Sequence, residues 1–198
     1  RVTDIYPSEP GLLQSLFPFL TKLPRSLLPG RLKFIKDFSD TSKPVGAAFN
    51  NPSLISQDGM EANTKQWRNA EIPAANGHGT ARSIAKLYGI LANGGSRDGI
   101  HVLKPETIEM SRLPQSEGKD LVLGGMNTKF GLGFMLGNEN ISMGPNIKSF
   151  GHGGAGGSLG FCDPDNHVSL GFVMNQMHPG ITAWKTATDL ASSVYKSL

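Results

Sequence analysis

The segment Ser149 to Phe161 reads Ser-Phe-Gly-His-Gly-Gly-Ala-Gly-Gly-Ser-Leu-Gly-Phe and sets six glycines around one histidine. Glycine weakens a strand, so it is kept there where a second backbone or a ligand must come close. Cys162-Asp163-Pro164-Asp165-Asn166-His167 follows, and then the apolar run Val168 to Met174. An Asp-Pro-Asp-Asn turn between two apolar runs predicts a β-hairpin. His152 in this setting reads as a polar side chain on strand backbone that lies open to a bound molecule. The competing reading is a structural histidine whose ring bonds a backbone carbonyl.

The neighbouring segments extend the pattern. Phe130 to Leu136 predicts a strand, Ser149 to Gly153 a second, Gly157 to Asp163 a third and Val168 to Asn175 a fourth. Thr80 offers a helix cap, Ile84, Leu87, Tyr88 and Leu91 recur at helical spacing, and Asn93-Gly94-Gly95 ends the helix. Pro105 to Met110 predicts a short helix with proline in its first turn. Ile181 to Leu198 predicts a closing helix with Trp184, Ala187, Leu190, Ala191 and Val194 on one face. Residues 1 to 76 are broken by Pro24, Pro29, Pro44, Pro52 and Pro73, which forbid a long helix. This loop-rich region, with an apolar patch at Leu12 to Leu20, reads either as a cover over a site or as a terminal arm. The division expected is 1–76 and 77–198, and the class is α+β, an antiparallel sheet with packed helices. Three or four strands leave open edges, which suggests missing partners.

Composition removes several alternatives. The formal charge is +3 over 198 residues, with no run of Lys or Arg and no interleaved aromatics. That argues against a nucleic-acid surface. No apolar run reaches the ~20 residues of a membrane span. One cysteine, Cys162, allows no intrachain disulfide. It suits a reducing compartment, yet exported enzymes also lack disulfides, so the compartment stays open. Cys162 itself reads as a small buried hydrophobe. His78 and His167 read as loop histidines, and His101 and His178 have no partner at metal spacing, so no metal or cofactor is expected. Asp163, Asp165 and Asn166 lack the glycine and terminal glutamate of a calcium loop and read as a turn.

His152-Gly153-Gly154-Ala155-Gly156-Gly157-Ser158-Leu159-Gly160 resembles the third signature of serine β-lactamase-like proteins. The resemblance is to class C β-lactamases, D-alanyl-D-alanine carboxypeptidases and family VIII carboxylesterases. Gly77-His78-Gly79-Thr80 through Asn93-Gly94-Gly95 is similar to a helical block of that family, and Phe130-Gly131-Leu132-Gly133-Phe134 to the strand before the signature. The resemblance implies a partial β-lactamase-like fold, the C-terminal portion. It also implies a serine that attacks a carbonyl to form an acyl-enzyme, later hydrolysed by water. By position, His152 stands for the Lys or His of the motif, and Gly153, Gly154 and Gly156 line the substrate. The Ala155 N–H stands for an oxyanion donor. The implied partner is a small ester, amide or peptide substrate.

Two signatures of that family are missing. Ser-x-x-Lys occurs at Ser83–Lys86 and at Ser193–Lys196, but the first lies in a later block and the second on the terminal helix. Both read as chance matches. No Tyr-x-Asn follows Tyr6, Tyr88 or Tyr195. The expectation is a C-terminal piece of a serine hydrolase, inactive alone, whose remaining partner is the missing N-terminal portion. The alternative is a non-catalytic scaffold that assembles with copies of itself. A third reading is an independent α+β domain with a groove at Gly153 to Gly157.

Overall fold

The computed structural model describes residues 2–7, 19, 22–28, 30–50, 55–56, 59–139, 141–178 and 185–198. Most of the Leu12 to Leu20 patch, Ile181 and Trp184 lie outside these. Contacts group the chain into two units, one of residues 1–4, 77–119 and 127–198, the other of 5–76 and 120–126.

The second unit is built from short pieces, as its prolines require. Helices α1 (Gly30–Phe38), α2 (Pro44–Phe49) and α3 (Lys65–Asn69) accompany a two-stranded ribbon, β1 (Ile55–Ser56) with β2 (Gly59–Met60). Pro44 opens α2 at its first turn, and the Thr64 hydroxyl caps α3 by accepting the Trp67 N–H at 3.1 Å. Phe38 stacks on Phe49 at 5.3 Å and meets Phe34 edge-on at 6.4 Å. The region is thus richer in helix than its sequence suggests.

The first unit holds the sheet. Helix α4 (Ala81–Ala92) starts at a reciprocal cap: Thr80 Oγ1 accepts the Ser83 N–H, and Ser83 Oγ accepts the Thr80 N–H. It ends where the Gly95 N–H returns to the Ile90 carbonyl at 2.8 Å. A tight ribbon, β3 (Ser96–Arg97) with β4 (Ile100–His101), leads to α5 (Pro105–Ser111). Six strands then run in a meander: β5 (Ser116–Asp120), β6 (Met126–Phe130), β7 (Met135–Leu136), β8 (Phe150–Gly153), β9 (Leu159–Asp163) and β10 (Val168–Phe172). Helix α6 (Lys185–Tyr195) closes the chain.

The sheet differs from the expected one in two places. Phe130 to Leu136 is not a single strand: Phe130 pairs with Met135 across a turn, and the Gly131 N–H bonds the Phe134 carbonyl at 2.9 Å. β5, made of Ser-Glu-Gly-Lys-Asp, carries no apolar alternation and is unforeseen. The Asp163 turn does form the expected hairpin, with Asp163 opposite Val168 and Leu159 opposite Phe172.

Every residue of β9 is buried, because the sheet is covered on both faces there. Gly160 and Cys162 share the α4 face. A Cβ at Gly160 would lie 2.6 Å from Tyr88 Cε2, so only glycine lets α4 come this close. Ser169 Oγ donates to the Ala85 carbonyl at 2.9 Å and fixes α4 along β10. Cys162 joins Leu91, Ala92, Ile108, Leu136 and Phe150 in one core, with Phe134 edge-on to Phe150 at 5.0 Å. Asp163 occupies the other face and meets Tyr195 of α6. Helical spacing misplaced two leucines. Leu87 and Leu190 are each 46% exposed, while Ala187 and Ala191 carry the buried stripe of α6.

Burial pushes the Cys162 thiol up to about 12, which leaves almost no thiolate at neutral pH. We expect a disulfide-exchange reagent to leave the native protein unlabelled and to label one thiol after denaturation. Rapid labelling of native protein would contradict a core position for Cys162.

Candidate functional site

β8 and β9 are joined by five residues, Gly154 to Ser158, and this hairpin carries all the predicted site residues. Gly153, opposite Leu159, is the last ladder pair. The Gly154 N–H then donates to the Ser158 carbonyl at 2.8 Å and closes the loop. The Gly157 N–H donates to the Gly154 carbonyl at 3.0 Å, with Ala155 and Gly156 between them. Gly156 has φ +82°. A turn with positive φ only at its second central position is type II, where glycine is the residue that fits. The Gly156 carbonyl accepts the His178 N–H at 2.9 Å, and a Cβ at Gly156 would lie 2.8 Å from the Met174 and Met177 side chains. The turn is therefore braced from behind.

This bracing leaves part of the loop's backbone unused. Gly154 and Gly157 spend their N–H groups inside the loop, whereas among the described residues the N–H groups of Ala155, Gly156 and Ser158 have no acceptor, and Ala155 holds the first central position of the turn. An N–H held at the first central position of a rigid turn can donate to an incoming oxygen without reorganising.

His152 is exposed on β8, opposite Gly160. Its Nδ1 lies 2.5 Å from the Gly153 carbonyl oxygen, which can only accept, so Nδ1 carries the proton. With the proton on Nδ1, Nε2 is the ring nitrogen left free of that bond. The backbone bond that the structural reading of His152 expects is present, and it fixes the tautomer of the exposed ring. The Phe130 ring lies 6.0 Å from the imidazole, tilted by 33°. Phe130 lies against His152, and Met174 and Met177 pack behind Gly156; the two methionines were not singled out from sequence. Both follow the last strand, where no periodic pattern marks which residue packs on the hairpin.

The other candidates are accounted for locally. Ser83 Oγ donates to the Thr80 carbonyl at 2.8 Å within the cap, and Ser193 Oγ donates to the Asp189 carbonyl at 2.9 Å. Among the described residues neither hydroxyl bonds the lysine three residues on. His101 Nδ1 pairs with Ser96 Oγ across the β3–β4 ribbon. Among the described residues no group of three or more His, Cys, Asp or Glu is placed to hold a metal ion.

Asp163 is the buried carboxylate of the unit, 0% exposed. Oδ2 accepts Tyr195 Oη at 2.5 Å and Asn166 Nδ2 at 2.8 Å; Oδ1 accepts Asn146 Nδ2 at 2.8 Å and the backbone N–H of Asp165 at 3.0 Å. Burial raises its pKa, but these donors outweigh burial and hold the carboxyl below its usual range. The turn reading of Asp163 to Asn166 agrees with this network.

The family profile described as Beta-lactamase matches residues 36–192. The chain is 41% identical over 108 residues to the esterase/β-lactamase LipL of Mycobacterium tuberculosis, a match covering 54% of this chain and 24% of LipL. Among solved structures it is similar to a penicillin-binding protein homologue from Caulobacter crescentus, at 38% identity and TM-score 0.68, covering 78% of this chain and 40% of that one. It is also similar to a family VIII carboxylesterase, at 35% identity and TM-score 0.70, with coverages of 78% and 40%. The chain thus spans about a quarter of LipL and two fifths of each of these structures. Its fold matches theirs over the shared part.

Proposed function

Because the chain belongs to the β-lactamase family, we propose that the β8–β9 hairpin is one wall of a serine acyl-transfer site. The chain is the C-terminal part of a longer hydrolase of esters, amides or β-lactams. One observation carries this reading: the Ala155 N–H is left without an acceptor at the centre of a braced turn, beside an outward-facing His152.

The chemistry follows from those groups. A serine hydroxyl attacks a carbonyl carbon and negative charge collects on the former carbonyl oxygen. The Ala155 N–H donates to that oxygen, a contact worth about 2.7–4 kcal/mol of transition-state stabilisation. His152 Nε2 accepts a proton or hydrogen bond from the substrate or from a catalytic hydroxyl. Gly153 and Gly154 keep side chains away from the strand backbone where the substrate lies.

The nucleophile is assigned to chain outside these 198 residues. Ser83 and Ser193 spend their hydroxyls on helix carbonyls, and no Tyr-x-Asn supplies a shuttle. The partial coverage of the relatives supports the same reading. The purified 198-residue chain should therefore hydrolyse p-nitrophenyl acetate no faster than buffer, with Ser83→Ala indistinguishable from it. Turnover by this chain that disappears in Ser83→Ala would overturn the assignment.

A further inference from the structure

We propose a second binding site, for a small organic carboxylate, at the Phe150 end of β8. A recess of about 280 Å³ opens there between α5, β6, β7 and the chain entering β8. Ser149 on its wall and His152 are three residues apart, about 10 Å along an extended strand. The recess is therefore separate from the hairpin turn.

Charge sets the first requirement on the ligand. Arg112, Lys129 and Lys148 line the recess against one carboxylate, Glu109, which leaves two positive charges in the lining. The carboxylates that pair with these cations are weak competitors. Glu109, Glu117 and Asp165 are 70%, 57% and 45% exposed, and such surface pairs are worth about 0–1 kcal/mol. An anion entering the recess displaces them at little cost.

The cations are also held in place. The Arg112 guanidinium lies 5.2 Å over the Phe150 ring and bonds Glu109 at 2.8 Å and the Lys148 carbonyl at 3.4 Å. These bonds use two of its five N–H donors, so three remain for a carboxylate. The Lys148 N–H donates to Asn146 Oδ1 at 3.0 Å, and Asn146 is tied to buried Asp163, so the loop bearing Lys148 is anchored.

Shape sets the second requirement. Leu136 is a buried apolar wall, while Leu113 and Ile147 stand 57% and 55% exposed on the rim. Apolar groups beside a cationic fork fit an acid with a short branched or aromatic body better than an inorganic anion.

The test is calorimetric titration of the native protein with benzoate, benzamide and inorganic phosphate. Saturable benzoate binding is expected, about tenfold or more tighter than either benzamide or phosphate. Lys129→Gln combined with Lys148→Gln should weaken benzoate about tenfold, equivalent to about 1.4 kcal/mol, with an unchanged melting temperature. His152→Gln should leave benzoate affinity unchanged. Equal binding of benzamide or phosphate, full affinity in the double lysine variant, or loss of affinity in His152→Gln would each overturn the proposal. Arg112 is not substituted in this test, because its packing on Phe150 makes it a support of the core.

Discussion

Asp163→Ala is expected to destabilise the protein by about 2–4 kcal/mol. The substitution removes the acceptor shared by Tyr195, Asn166, Asn146 and two backbone N–H groups. Tyr195 then loses the bond that ties the end of α6 to the sheet. A buried donor left without a partner costs about 1–3 kcal/mol, and of these donors Tyr195 and Asn146 are half-buried while Asp165 and Asn166 are exposed. Urea unfolding should show a lower midpoint with an unchanged slope. The pH dependence has a defined sign. The folded carboxyl titrates below its unfolded value of about 3.9. Its contribution is therefore complete above that value and fades as pH falls through the lower folded pKa. Wild-type stability should drop on that acid limb, and the alanine variant should lack this part of the drop. A loss below about 1 kcal/mol would mean that α6 is held to the sheet by other contacts.

Ala155→Pro is the second large effect, measured as ester hydrolysis by the native, longer protein. Proline suits the first central position of a type II turn, so the hairpin should keep its shape. Gly154 precedes it, and its own bond to the Ser158 carbonyl is untouched. The only donor removed is the Ala155 N–H. The expected result is a fall of about 10²–10³ in kcat, with a melting temperature close to wild type. An unchanged rate at preserved stability would remove Ala155 from the chemistry and leave the turn as a structural cap.

The β9–β10 hairpin was legible in sequence because its Asp-Pro-Asp-Asn turn is a local constraint, and the glycine run marked β8 and β9 as strands that a second backbone approaches closely. The roles proposed for His152 and Ala155 come from the family resemblance; spacing alone does not supply them. The tautomer of His152 was not legible, since it depends on a carbonyl oxygen placed by the strand end. β5 escaped because its sequence, Ser-Glu-Gly-Lys-Asp, is polar throughout; an edge strand with exposed faces needs no apolar alternation. The split of Phe130 to Leu136 into two strands turned on Gly133 at φ +82°, a glycine that reads equally well inside a strand. The Asp98-Gly99 dipeptide was a stronger signal than was drawn from it. Both residues have positive φ, 51° and 77°, and form the two-residue hairpin loop of β3 and β4. Leu87 and Leu190 show the limit of helical periodicity. It marks a stripe, and on α4 Gly160 and Gly171 of the facing strands decide which part of the stripe is in contact.

The most direct measurement is a crystal structure of the native protein with a phosphonate or boronate transition-state analogue on its nucleophile. The account predicts an analogue oxygen within about 2.7–3.1 Å of the Ala155 nitrogen, with His152 Nε2 facing the ligand. An analogue whose oxygens are bound elsewhere, with the Gly154–Ser158 turn turned away from it, would contradict the assignment of this hairpin to the acyl-transfer site.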